Sequence, residues 1–197
     1  MGNDSDENHL TESDSIFNKS TNTQFDALVN FNHDMSHGYI EGYRIHARIG
    51  VQHAIADRNQ DYLIYPIVYS YRHHLELSIK RLIVRSDQVL ENNYNPPFGH
   101  SLVALFSRLK KNIDSIYTDI DKSEFLHASR IVSELHNLDP KGEDFRYHLK
   151  TDNKTTTLQG VERLSIESLF NCLEKVSSLL EAVDSDLCHR LELMFTE

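Results

Sequence analysis

The chain has 197 residues, 39% of them apolar and 25% charged, with seven glycines, four prolines, two cysteines and no tryptophan. That is the composition of one ordinary globular domain, and it excludes a collagen-like, low-complexity or disulfide-stapled chain. Thirty acids against twenty bases leave a net charge of −10, which argues against a general polyanion binder.

Residues 1–24 hold five acids, one lysine and eleven Asn, Ser or Thr, so they lack the apolar content to pack and are expected to form a disordered tail. From residue 25 to 197 the pattern reads as one helical domain. Phe25, Leu28 and Val29, then Met35, Tyr39 and Tyr43, recur at helical steps, with Gly38, Gly42 and Gly50 either weakening the helix or permitting a close crossing. Asp61 to about Leu90 is apolar around the whole helical circumference, which places it at the centre of a bundle. Pro66 falls in its first turn or else kinks it.

A polar linker with Pro96, Pro97 and Gly99 ends that helix. A regular stripe from Leu102 to Tyr117 and a shorter one from Lys122 to Leu138 each predict a further helix, the second closed by Asp139 and Pro140. Alternation of Phe145, Tyr147 and Leu149 before Asp152 and Asn153 predicts a small β-hairpin near residues 145–158. Behind a Ser165 cap, Leu169, Leu173, Val176, Leu180, Val183, Leu187, Leu191 and Met194 repeat near every 3.5 residues, the spacing of a coiled-coil seam or a long bundle helix. The fold class is therefore all-α: about five helices with a small β-hairpin insertion, and a last helix whose wide apolar face suits a homodimer.

No apolar run approaches the length of a membrane span, and the acidic N-terminus is unlike a signal peptide, so a cytoplasmic protein without membrane contact is expected. Cys172 and Cys188 share one helix roughly 24 Å apart, too far for a disulfide. His33, His37 and Glu41 could share a helical face, but no second ligand cluster accompanies them, and no metal or other cofactor is expected. Glycine-rich phosphate loops, nucleophile elbows and paired-carboxylate signatures are absent from the sequence.

Charge is unevenly spread. Between Arg72 and Lys111 seven bases (Arg72, Lys80, Arg81, Arg85, Arg108, Lys110, Lys111) face three acids, giving +4, so the remainder carries −14. This is either an anion-binding patch or two solvated helical faces. Within it Arg72, Glu76 and Lys80 are successive i+4 neighbours on a helix that the apolar pattern buries. They form either a salt-bridge ladder or, with His100 and Arg146 as partners, a ligand-binding row.

The helix bearing Glu76 and Lys80, the Pro96–Pro97 linker and the His100-Ser101-Leu102 helix start together resemble the central part of the HEPN superfamily. Those are small helical-bundle proteins associated with RNA processing, toxin–antitoxin pairs and antiviral defence. A later segment with Asp139, Gly142, Phe145, Arg146 and Tyr147 is similar to a stretch in bacterial proteins that carry an Arg-His version of the same helix. The likeness runs from about Tyr65 to Asp152. It implies an RNA- or nucleotide-binding regulatory protein of a bacterial stress or defence system, acting with a cognate protein partner.

The resemblance also implies an alternative, a metal-independent endoribonuclease. HEPN ribonucleases use an arginine and a following histidine separated by four to six residues, one to steady phosphorane charge and the other to relay the 2′-hydroxyl proton. Arg48 with His53 and Arg130 with His136 both fit that spacing, and only Arg130 and His136 follow the His100 helix as the family order requires. Ile49 and Ile131 stand where the family places a polar residue. A third reading, from a different class, is a non-catalytic homodimeric interaction module.

Overall fold

A computed structural model describes residues 9–12, 14–17, 22–29, 32–93, 95–118, 121–194 and 196. The chain forms two compact units, Met1–Met35 and Ser36–Glu197. In the first, Asn22 caps a 3-10 turn at Thr23–Phe25 by accepting from the Gln24 amide at 3.1 Å. The α-helix expected from Phe25 starts later: residues 26–29 carry no helix, and α-helix begins at Ser36, taking in Tyr39 and Tyr43. Competition from short polar side chains explains the delay, since Asn32 Oδ1 takes the His33 amide at 2.7 Å that a helix would need. Part of the expected disordered tail, and Asn30 and Phe31 of the expected helix, lie outside the described residues.

The second unit is a bundle of α1 (Ser36–Ala56), α2 (Gln60–Val89), α3 (Leu102–Ile116), α4 (Ser123–Leu138) and α5 (Ile166–Met194). Helix α2 is central, packing on α1, α3 and α5, while α4 bridges α3 and α5. Val68, Tyr71, Leu75, Ile79 and Ile83 of α2 are wholly buried, as an all-round apolar pattern requires. Pro66 lies inside α2 rather than in its first turn. Among the described residues no helix is long and apolar enough to cross a membrane.

Polar seams thread this core. Arg44 of α1 binds Glu174 and Glu181 of α5, each at 3.1 Å, and the Tyr71 hydroxyl donates to Glu174 at 2.9 Å. His74 joins the Ile40 carbonyl to the Ser177 hydroxyl at 2.9 and 3.0 Å. Arg81 and Arg85 both pair with Asp184, and Asp87 receives Arg108 and Asn112 from α3. These contacts fix helix register as well as proximity, because each demands a particular pair of facing residues.

Two further expectations change. Residues 145–158 do not form a hairpin. A single antiparallel bridge, Leu149 with Thr156, is all the β-structure among the described residues. Asp152 accepts from the Lys154 and Thr155 amides at 2.9 and 2.8 Å, and Asn153 and Leu158 adopt positive φ, so side-chain turns replace the ladder. The α5 seam is turned inward: Leu173, Val176, Leu180, Val183 and Leu187 are buried in this chain's own bundle, and their periodicity needs no second copy. Cys172 and Cys188, both half-buried, are free thiols.

Gly50 shows how closely α1 and α2 approach. A β-carbon there would stand 2.8 Å from Ile67 Cγ1, which is itself buried, whereas one at Gly42 would meet nothing within 4 Å. Gly50→Ala is expected to destabilise the protein by about 1–3 kcal/mol through overpacking. Gly42→Ala is expected to stabilise it by about 0.5–1 kcal/mol through helix propensity. Thermal unfolding followed by circular dichroism should move in opposite directions for the two.

Candidate functional site

Arg72 is 3% exposed, and each of its three guanidinium nitrogens donates a hydrogen bond. Its Nε donates to the Asp139 carbonyl at 3.0 Å, Nη1 to Glu76 Oε2 at 3.1 Å and Nη2 to the His100 carbonyl at 2.8 Å. Asp139 Oδ2 lies 3.6 Å from Nε, while its Oδ1 accepts from the amides of Glu143 and Asp144 at 2.8 and 3.1 Å. A buried guanidinium needs this many acceptors to offset its lost hydration. Gly142 completes the enclosure. Its φ is +80°, and a β-carbon there would meet Arg72 Nη1 at 2.6 Å.

The other Glu76 oxygen turns toward solvent. Oε1 accepts from Lys80 Nζ at 2.7 Å and from His100 Nδ1 at 2.8 Å, and the His100 side chain is 71% exposed. Burial works against the Glu76 carboxylate, but the hydrogen bonds and charges of Lys80 and His100 outweigh it and hold the group below the ordinary carboxylate range. With Glu76 ionised, His100 Nδ1 must be the donor, which leaves Nε2 as the other ring position.

Arg146 does not join this row as expected. Its guanidinium lies between two rings, 5.4 Å from the Tyr69 centroid and 4.9 Å from that of Tyr147, and Nη2 donates to the Tyr147 hydroxyl at 2.7 Å. Tyr69 stacks on His73 at 5.8 Å with 13° between planes, and Tyr43 of α1 meets His73 edge-on at 4.4 Å. Tyr69, His73, Glu76 and Lys80 step by four, three and four along α2, so they share one face. The aromatic group therefore continues the charged row along the same helix.

Four of the five expected ligand-binding residues, Arg72, Glu76, Lys80 and His100, thus form one hydrogen-bonded network, and Arg146 sits at the other end of the same α2 face. Arg130 and His136 do not meet. Six residues apart on α4 they point about 120° from each other; Arg130 pairs with Glu134 at 2.6 Å, and His136 Nδ1 is buried without a hydrogen-bond partner. Tyr43, Tyr69 and His73 escaped the sequence reading. The four-three-four stripe through Tyr69 and His73 was the available signal, masked by the surrounding apolar residues. Among the described residues no group of three His, Cys, Asp or Glu could hold a metal.

The basic region from Arg72 to Lys111 is largely neutralised by carboxylates. Arg72 and Lys80 share Glu76, Arg81 and Arg85 share Asp184, Arg108 meets Asp87, and Lys110 meets Asp114. Arg146 differs: it is exposed and has no carboxylate partner among the described residues. Comparison of the chain with protein-family models, with curated proteins and with solved structures finds no match.

Two stability predictions follow from this chemistry. Glu76→Ala removes the hydrogen-bonded carboxylate of buried Arg72, leaving only that of Asp139 at 3.6 Å, and should cost about 3–5 kcal/mol, measured by urea denaturation. Burial pushes both His73 and His74 down, in His74 against the opposing Ile40 hydrogen bond. The unfolded chain then binds more protons than the folded one below about pH 6.5, so stability is complete above that value and falls as pH drops beneath it. The melting temperature should decline from pH 7 to pH 5, and His74→Asn, whose amide can still donate to the Ile40 carbonyl, should flatten that decline.

Proposed function

We propose that this protein is a regulatory protein that binds RNA or a nucleotide on the α2 face running from Tyr69 to Lys80. The observation that carries this reading is the Arg146 guanidinium, an exposed cation without a carboxylate partner that lies near two tyrosine rings. A cation with nothing to neutralise it is available to a phosphate, and the exposed Tyr147 ring beside it can meet a base. Lys80 and His100 extend the polar edge, and the stacked Tyr69–His73 pair extends the aromatic one. The resemblance to HEPN proteins points to the same ligand class.

A negatively charged chain is no obstacle to such a site, because local unpaired cations decide phosphate contact while net charge sets long-range steering. Affinity for a single-stranded oligoribonucleotide is expected to fall linearly on a log–log plot against salt, with a slope of about −0.7 for each phosphate contacted. Arg146→Ala should weaken binding about tenfold and flatten that slope. Arg85→Ala, which removes a cation already paired with Asp184, should leave both unchanged. Fluorescence anisotropy at several salt concentrations makes the measurement; salt-independent binding, or none at low salt, would overturn the reading.

A further inference from the structure

The loop between α4 and α5 encloses a cleft of about 500 Å³, within the usual size range of small-molecule sites. Tyr147 lines it, together with Lys141, Glu143, Asp144, Lys150 and Thr157. Tyr147 is 53% exposed and is the same residue whose ring carries Arg146. Lys141 and Lys150 form no ion pair among the described residues, so the cleft that Tyr147 lines also holds two ammonium groups not bound to a carboxylate.

The walls of the cleft are preorganised. The Asp139 carboxylate fixes the Glu143 and Asp144 amides, the Thr157 hydroxyl donates to the Tyr147 carbonyl at 2.8 Å, and Lys150 donates its amide to the Thr155 carbonyl at 2.8 Å. Asp152, although close enough to Lys150 to feel its charge, is engaged by the Lys154 and Thr155 amides and the Thr155 hydroxyl, which hold its carboxyl down at about 2.

The mixture of groups narrows the ligand class. A simple inorganic anion would have no use for the tyrosine ring and would be repelled by Glu143 and Asp144. An apolar molecule would leave four charged side chains unanswered. A nucleotide presents all three complements at once: a planar base for Tyr147, a phosphate for the lysines, and ribose hydroxyls or exocyclic amines that can donate to the carboxylates.

We propose that this cleft holds one unpaired nucleotide, its base stacked on Tyr147, its phosphate against Lys141 and Lys150, and its hydrogen-bond donors toward Glu143 and Asp144. The assignment rests on the RNA- or nucleotide-binding reading above and extends it to a specific subsite. An unpaired base is required because pairing and stacking in a duplex would occupy the faces and edges that the cleft reads.

The test uses the full chain and three probes at one salt concentration: a single-stranded oligoribonucleotide, the same backbone made abasic, and adenosine 5′-monophosphate. The abasic strand should bind about tenfold more weakly than the intact one. Tyr147→Leu should erase that difference, and Tyr147→Phe should preserve it. Lys150→Gln, a change at an exposed position, should weaken binding and reduce the salt slope without altering the dependence on the base. Saturable binding of the mononucleotide as well would identify a free nucleotide as a sufficient source, and binding of the strand alone would identify RNA; either supports the subsite. Equal affinity for intact and abasic strands would overturn it while leaving the phosphate-binding reading standing. If none of the probes binds, both fall together.

Discussion

The buried Arg72 guanidinium is the interaction on which the site depends. Three stretches of chain converge on it: α2 through Glu76, the linker before α3 through the His100 carbonyl, and the α4–α5 loop through Asp139. Hydrophobic burial holds the helices together but is non-directional, and it would tolerate many arrangements of the loops. A guanidinium with five donors in a rigid fork does not, because each acceptor must arrive from a fixed direction. The loop bearing Arg146 and Tyr147 is positioned against α2 by this demand and by burial of Phe145.

The same logic governs the charges elsewhere. In the sequence the stretch from Arg72 to Lys111 is basic, but its cations face Glu76 and Asp87 within it and Asp184 from α5, Asp139 after α4 and Asp114 beyond it. Folding converts an apparent anion patch into seams between helices. Among the cations left without a carboxylate, Lys141, Arg146 and Lys150 cluster in the α4–α5 loop.

Helices α2 to α5 were legible because their apolar residues recur with the helical period and their ends are marked by Ser101, Asp139 and Ser165. The bundle followed from the all-round apolar character of α2. The failures have a common physical form: local polar side chains competing for backbone groups, at Asn32 before α1 and at Asp152 in the loop, where periodicity suggested regular structure. The α5 repeat could not reveal whether its face meets a sister helix or another chain, since both bury the same residues. In the site, the Arg72–Glu76–Lys80 ladder and its contact with His100 could be read from i+4 spacing and helix position. Asp139 could not, because it lies 67 residues from Arg72 and only folding brings the two together.

Arg72 and Glu76 belong to the same helix, and this shapes how the molecule can open. If the α4–α5 loop detaches, the i,i+4 pair persists and water replaces the Asp139 acceptors, so no bare charge is stranded. The arrangement separates the stability of the helical core from that of the loop. Release of residues 139–147 would still expose the buried Phe145 and break the Asp139 hydrogen bonds to the Glu143 and Asp144 amides, so it is an excursion distinct from global unfolding but not a free one. The helical bundle beneath the loop keeps its own Arg72–Glu76 pair whether the loop is docked or not.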